Sequence, residues 1–300
     1  MTFLSEAVAE GFSDWNTLKG DADLDPIRTE AGFAELSERV RSRGDFQWLL
    51  QRYPSYEQVQ PTVRLGFTYQ PATHPDLVNL RREWNLDAVA GSGDAFSRMV
   101  RLMRWVHAQV RHDGESPNPK PRDAKGLLEV CRREGRGINC RMMAIILHEA
   151  YLAMGFKSRH LTCLPMNEHD PDCHVITCVW SEAHQKWLYM DPTFEAYFMD
   201  EKGVPLSVPE VRERLVTSQP LVLSPGANWN GKPKDPQEYK SYMAKNLFRI
   251  QCPVEAAPGY ESRPGDPVYV ALDPLNVPNP PMPRKGTTIT HNQAAFWERP

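Results

Sequence analysis

Gly135-Arg136-Gly137-Ile138-Asn139-Cys140-Arg141-Met142-Met143-Ala144 is a glycine-rich turn that runs straight into an apolar helical pattern. Met143, Ile146, Leu147, Ala150 and Met154 fall on one face of that pattern, and Gly155 stands where a C-terminal stop belongs. The spacing predicts a buried helix from Cys140 to Met154, with Asn139 suited to cap its start. A cysteine in the first turn of such a helix sits among unsatisfied backbone N–H groups, which favour an anion and lower the thiol pKa. The same N–H groups, beginning with that of Cys140, are candidate donors to a developing oxyanion.

A thiolate nucleophile needs a partner that holds it ionised and later protonates the leaving group, and histidine suits both tasks near neutral pH. Downstream of the helix, β-type segments are expected at Ser158–Leu164, His174–Trp180 and Trp187–Asp191, the last two forming a hairpin across the polar stretch from Ser181 to Lys186. His174 opens one strand and Asp191 closes the next. Antiparallel pairing can bring the two side chains together, so that Asp191 accepts the imidazole N–H and fixes its tautomer.

Upstream, Phe96, Met99, Val100, Met103, Val106 and Val110 recur at spacings of three and four and predict an amphipathic helix from Ala95 to about Arg111. Arg98, Arg101, Arg104 and Arg111 read as its solvated face, and Trp105 and His107 as packing or surface residues. Residues 114 to 137, dense in glycine and proline, read as a loop with one helical turn at Leu127-Leu128-Glu129-Val130. Nearer the start, a helix is expected over Glu30–Arg43 and a strand over Val63–Tyr69. Sixteen of the twenty-seven prolines lie beyond residue 200, which suggests a wrapping or edge segment. Helical periodicity survives there only at Val208–Leu215 and around Tyr239–Phe248, and Pro278–Pro283 reads as extended polyproline-like chain.

The series Gly137-Ile138-Asn139-Cys140, helix, Gly155-Phe156-Lys157-Ser158-Arg159, His174 at a strand start and Lys186-Trp187-Leu188-Tyr189-Met190-Asp191-Pro192-Thr193 resembles the transglutaminase-like superfamily of papain-like thiol enzymes. It spans roughly residues 95 to 205. The resemblance implies an α+β fold in which the nucleophile helix packs on an antiparallel sheet, with Cys140, His174 and Asp191 as the catalytic triad. It divides the chain into an N-terminal helix and strand elaboration (1–94), the catalytic core (95–205) and a proline-rich C-terminal wrap (206–300). Animal transglutaminases carry a Cys-Trp pair, calcium sites and flanking β-sandwiches, whereas Arg141 follows the cysteine here. Eukaryotic peptide N-glycanases carry zinc-binding C-x-x-C pairs, absent from this chain, and the short bacterial transglutaminase-like proteins are nearer in style.

Composition narrows the function. Thirty-five basic against thirty-eight acidic side chains, with no long run of either sign, argue against nucleic acid as a partner. The longest unbroken apolar run, Met142 to Leu147, is too short to span a membrane. No repeat of solenoid length is present. The N-terminus lacks a secretory pattern and the six cysteines form no C-x-x-C pair, so a cytoplasmic location is expected. The resulting expectation is a cysteine hydrolase or acyltransferase that attacks a peptide or glutamine-type amide, with no cofactor and no metal, its acyl-thioester resolved by water or an amine acceptor. Two alternatives stand beside it: a catalytically silent binding or scaffold protein, and a zinc-binding protein using Cys163, His169, Cys173, His174 and Cys178, whose spacing fits zinc poorly. Cys173, next to His174, could also pair oxidatively with Cys140.

Overall fold

Three helices frame the loop that leads into Cys140, each started by a side-chain cap. Asp94 accepts the Ser97 amide and opens α1 (Ala95–Gln109), Asp123 accepts that of Gly126 at α2 (Ala124–Glu134), and Asn139 accepts that of Met142 at α3 (Cys140–Ala153). The computed structural model describes residues 1–59, 64–278, 280, 282 and 285–300. Within it α1 and α3 match their expected spans closely, but the stretch 114–137 is corrected: α2 is a full helix of 11 residues. Its buried Leu127, Leu128 and Cys131 provide the apolar face. Gly126 serves packing, because a Cβ there would lie 2.8 Å from Pro121 Cγ. The arginines of α1 are also more than a solvated face: Arg101 bonds the carbonyls of Ala90 and Ser92, and Arg104 pairs with Glu195 at 3.1 Å.

After α3 the chain enters β1 (Ser158–Leu164), β2 (His174–Ser181) and β3 (Lys186–Met190). It then forms α4 (Val208–Val216), α5 (Pro236–Asn246), β4 (Arg249–Pro253), β5 (Tyr269–Leu272) and β6 (Thr287–Thr290). The six strands form one sheet in the order β6-β5-β4-β1-β2-β3, antiparallel throughout except for the parallel β5–β6 pair at one edge. Cys163 lies opposite His174, and Thr177 opposite Met190.

Each face of this sheet is covered. On one side Val179, Leu188 and Met190 join the core built on α3, and Thr177 Oγ1 donates to the Ala144 carbonyl at 3.0 Å, fixing helix to strand. On the other, Leu161, Cys163, Ile176, Cys178 and Tyr189 pack with Val211 of α4 and Tyr239 and Met243 of α5. Full burial of each large apolar side chain contributes roughly 1.5–3 kcal/mol. The N-terminal helices Thr2–Ala9, Trp15–Gly20 and Phe33–Gly44 enclose a separate small cluster of Val8, Leu18, Phe33, Leu36 and Val40. Of the strand expected over Val63–Tyr69, Val63 lies outside the described residues and only Thr68–Tyr69 is paired, with Glu255–Ala256. In the expected Pro278–Pro283 stretch, residues 279, 281 and 283 lie outside the described ones. Among the described residues no helix is long and apolar enough to cross a membrane.

Candidate active site

Cys140 is the first residue of α3, His174 the first of β2, and Asp191 follows β3 directly. The helix covers one face of the sheet, while the surroundings of His174 and Asp191 belong to the other. His174 and Asp191 meet where the strands end, and the hydrogen bond of His174 to Cys140 adds the start of the helix to them. His174 Nε2 lies 2.7 Å from Asp191 Oδ2, with both residues buried. The bond to the carboxylate engages Nε2 and leaves Nδ1 for the cysteine. Asp191 is held by further donors: Tyr239 OH at 2.6 Å on the same oxygen, and the Thr193 and Phe194 amides at 2.9 and 3.3 Å on Oδ1. Tyr189 and Tyr239 hydroxyls are 2.6 Å apart, which extends this network into the core. The imidazole is flanked by the rings of Phe194 and Tyr242, at centroid distances of 5.5 and 5.3 Å.

The electrostatics separate Cys140 from the other thiols. Burial alone would raise its pKa, but hydrogen bonds from His112 and His174 and the charge of His174 pull it down to about 6. Burial would lower His174, yet the charge and hydrogen bond of Asp191, aided by Cys140, lift it to about 10. Each group thus favours the charged form of the other, Cys140 shifted towards thiolate and His174 towards imidazolium. Burial instead pushes Cys178 and Cys252 up to about 12 and raises Cys131, Cys163 and Cys173.

His112 is the second histidine at the thiol, and sequence reasoning passed over it. Residues 111–113 run alongside Ile138: Ile138 N–H donates to the Arg111 carbonyl at 3.1 Å and Asp113 N–H to the Ile138 carbonyl at 2.8 Å. This close approach is why residue 137 is glycine, since a Cβ there would sit 2.6 Å from the Arg111 oxygen. The only local signal was a histidine just beyond an amphipathic helix. Tyr239 and Tyr242 were missed as well, because nothing near them in sequence points to Asp191 or His174.

Next to Cys140 and His174, reached through their neighbours Arg141 and Cys173, opens a cleft of about 730 Å³ also lined by Asn118, Thr162, Glu261 and Tyr269, among others. Arg141 bonds Glu261 Oε1 at 2.8 Å and Thr162 Oγ1 at 3.1 Å. Burial would raise Glu261, but His160, Arg141 and Tyr269 together hold its carboxyl well below the usual range. Asn139 Nδ2 reaches Asn118 Oδ1 at 2.7 Å, so the capping residue also ties the cleft rim to the turn before Cys140. The acidic loop before His174 is tied to α5: Lys245 Nζ pairs with Asp172 at 2.7 Å and with Asp170 at 3.2 Å. Cys163 and Cys178 are buried in the sheet, whereas the His169 side chain is exposed. Among the described residues, no three His, Cys, Asp or Glu side chains are grouped to hold a metal ion.

Residues 82–192 match the family model described as the transglutaminase-like superfamily. A search of curated proteins finds no match. Among solved structures, a candidate cysteine protease from Cytophaga hutchinsonii aligns at 12% identity and a TM-score of 0.30, covering 72% of this chain and 58% of that one. LapG of Legionella pneumophila aligns at 12% identity and a TM-score of 0.31, covering 67% of this chain and 92% of that one. The chain thus spans little more than half the length of the Cytophaga protein.

Proposed function

We propose, from the match of residues 82–192 to the transglutaminase-like superfamily, that the protein is a thiol enzyme that attacks an amide carbonyl. The observation that carries the reading is the buried His174–Asp191 contact of 2.7 Å, placed against a thiol whose pKa is drawn down to about 6. The Cys140 thiolate adds to the carbonyl carbon, and the oxyanion accepts from the Cys140 N–H at the start of α3. His174, as imidazolium, gives its proton to the departing amine as the C–N bond breaks, leaving an acyl-thioester on Cys140 and a neutral imidazole. That imidazole then takes a proton from water, yielding acid and free enzyme, or from an amine, yielding a new amide. Asp191 keeps the ring oriented throughout. The substrate is a peptide or protein amide that reaches Cys140 through the adjoining cleft.

An activated ester tests this without knowledge of the natural substrate. Mixed with p-nitrophenyl acetate, the protein should release a burst of nitrophenolate stoichiometric with enzyme, and peptide mass analysis should find the acetyl group on Cys140. Cys140→Ala should abolish both. A steady, burst-free release, unchanged in that variant, would leave a binding or scaffold role as the better reading.

A further inference from the structure

The hairpin Asn228–Pro233 turns through Asn230 and Gly231, whose φ values of +51° and +82° fit a two-residue type I′ turn. It lies beyond residues 82–192 and grips His112 in three places. Asn230 Oδ1 accepts the His112 N–H at 2.9 Å, Asn230 Nδ2 donates to the His112 carbonyl at 3.0 Å, and Trp229 Nε1 lies 3.0 Å from His112 Nδ1. The hairpin is itself anchored to α1, since Asn228 Oδ1 lies 2.8 Å from His107 Nε2, whose Nδ1 is 3.0 Å from the Pro192 carbonyl.

Chemistry fixes the direction of the Trp229 contact. An indole N–H can only donate, so His112 Nδ1 must present its lone pair. The neutral ring then carries its proton on Nε2. An imidazolium at His112 would set an Nδ1–H against the indole N–H. The adjacent Arg111 and Asp113 pair with one another at 3.1 Å.

We propose that Trp229 is a positioning residue that holds His112 as a neutral Nε2–H donor directed at Cys140. The two histidines at the thiol thereby have separate tasks: His174 shuttles the proton, and His112 donates a hydrogen bond to the sulfur without competing for that proton. The consequence for catalysis rests on Cys140 being the nucleophile, while the tautomer of His112 does not.

Nitrogen-15 NMR of protein labelled at histidine separates these points, with the His112 signals identified by their loss in His112→Gln. In the unaltered protein His112 Nδ1 should resonate as an unprotonated acceptor and Nε2 as protonated. Trp229→Phe keeps an aromatic ring at a partly exposed position while removing the donor, and His112 should then show a mixture of tautomers. Cys140 alkylation should slow by roughly three- to tenfold with loss of one oriented hydrogen bond. A protonated Nδ1 in the unaltered protein would overturn the proposal before any variant is made. It would equally be overturned by a Trp229→Phe protein with the same tautomer and the same alkylation rate. Failure of the nucleophile reading would look different: Cys140 would alkylate no faster than the other thiols even where His112 has the expected tautomer.

Discussion

Asp191 Oδ2 accepts from His174 and Tyr239 at once, at 2.7 and 2.6 Å. Because Oδ1 is occupied by two backbone amides, the carboxylate cannot rotate without losing a bond, and the imidazole inherits that rigidity. Tyr239→Phe removes one donor from the shared oxygen and leaves the Tyr189 hydroxyl without its partner. Steady-state ester turnover should fall by roughly five- to thirtyfold, corresponding to about 1–2 kcal/mol, with little change in the ester concentration that gives half-maximal rate. Unchanged turnover would show that the amides alone suffice to orient Asp191. Cys140, His174 and Asp191 were legible as candidates because each stands at the end of a recognisable element. His112, Trp229 and Tyr239 were not: a hydrogen bond between residues more than a hundred positions apart, such as Trp229 to His112, leaves no periodic trace in the chain.

At the scale of elements, α3 presents more than Cys140. Glu149, buried on that helix, accepts the Ala124 amide at 2.8 Å and the Gly259 amide at 2.9 Å, joining the start of α2 to the C-terminal segment. Burial pushes its pKa up to about 8 against the pull of those two amides. A raised folded-state pKa contributes stability that is complete below the ordinary carboxylate range and is lost as pH rises through about 8. Urea unfolding should therefore show stability declining between about pH 5 and about pH 8, by on the order of 1–3 kcal/mol from this group. In Glu149→Gln that slope should flatten, and an unaltered slope would assign the decline to other groups. The helices α1 and α3 and the β2–β3 hairpin were readable because their apolar positions keep one period. Helix α2 was obscured because its flanking prolines and internal Gly126 look like loop chemistry until Pro121 is seen packed on that glycine.

Across the whole molecule, the last third completes the sheet and the site. It provides β4, β5 and β6, with β4 paired to β1 in the sheet interior, and it carries Trp229, Tyr239, Tyr242 and Glu261. Proline density pointed to irregular chain there, and β4 is so short that the alternation of Ile250 and Cys252 is its only strand signal. Arg159 on β1 ties distant parts together: it donates to Tyr69 OH at 2.7 Å and to the Phe296 carbonyl at 2.6 Å, and lies 3.7 Å from the Phe67 ring centroid and 4.3 Å from that of Trp187. Arg159→Ala should lower unfolding free energy by roughly 3 kcal/mol or more through the cavity and the lost bonds, read as a drop in urea midpoint. An unshifted midpoint would mean that these segments dock independently of Arg159.

In the proposed mechanism His174 and its partners activate one thiol in six. Iodoacetamide labelling from about pH 5 to about pH 9 under reducing conditions, with the modified residue located by peptide mass, tests it directly. Cys140 should label first, with a rate that falls as pH drops through about 6, and His174→Ala should move that fall towards the ordinary thiol value of about 8.5. Slow labelling of all accessible cysteines alike, unaffected by His174→Ala, would contradict it.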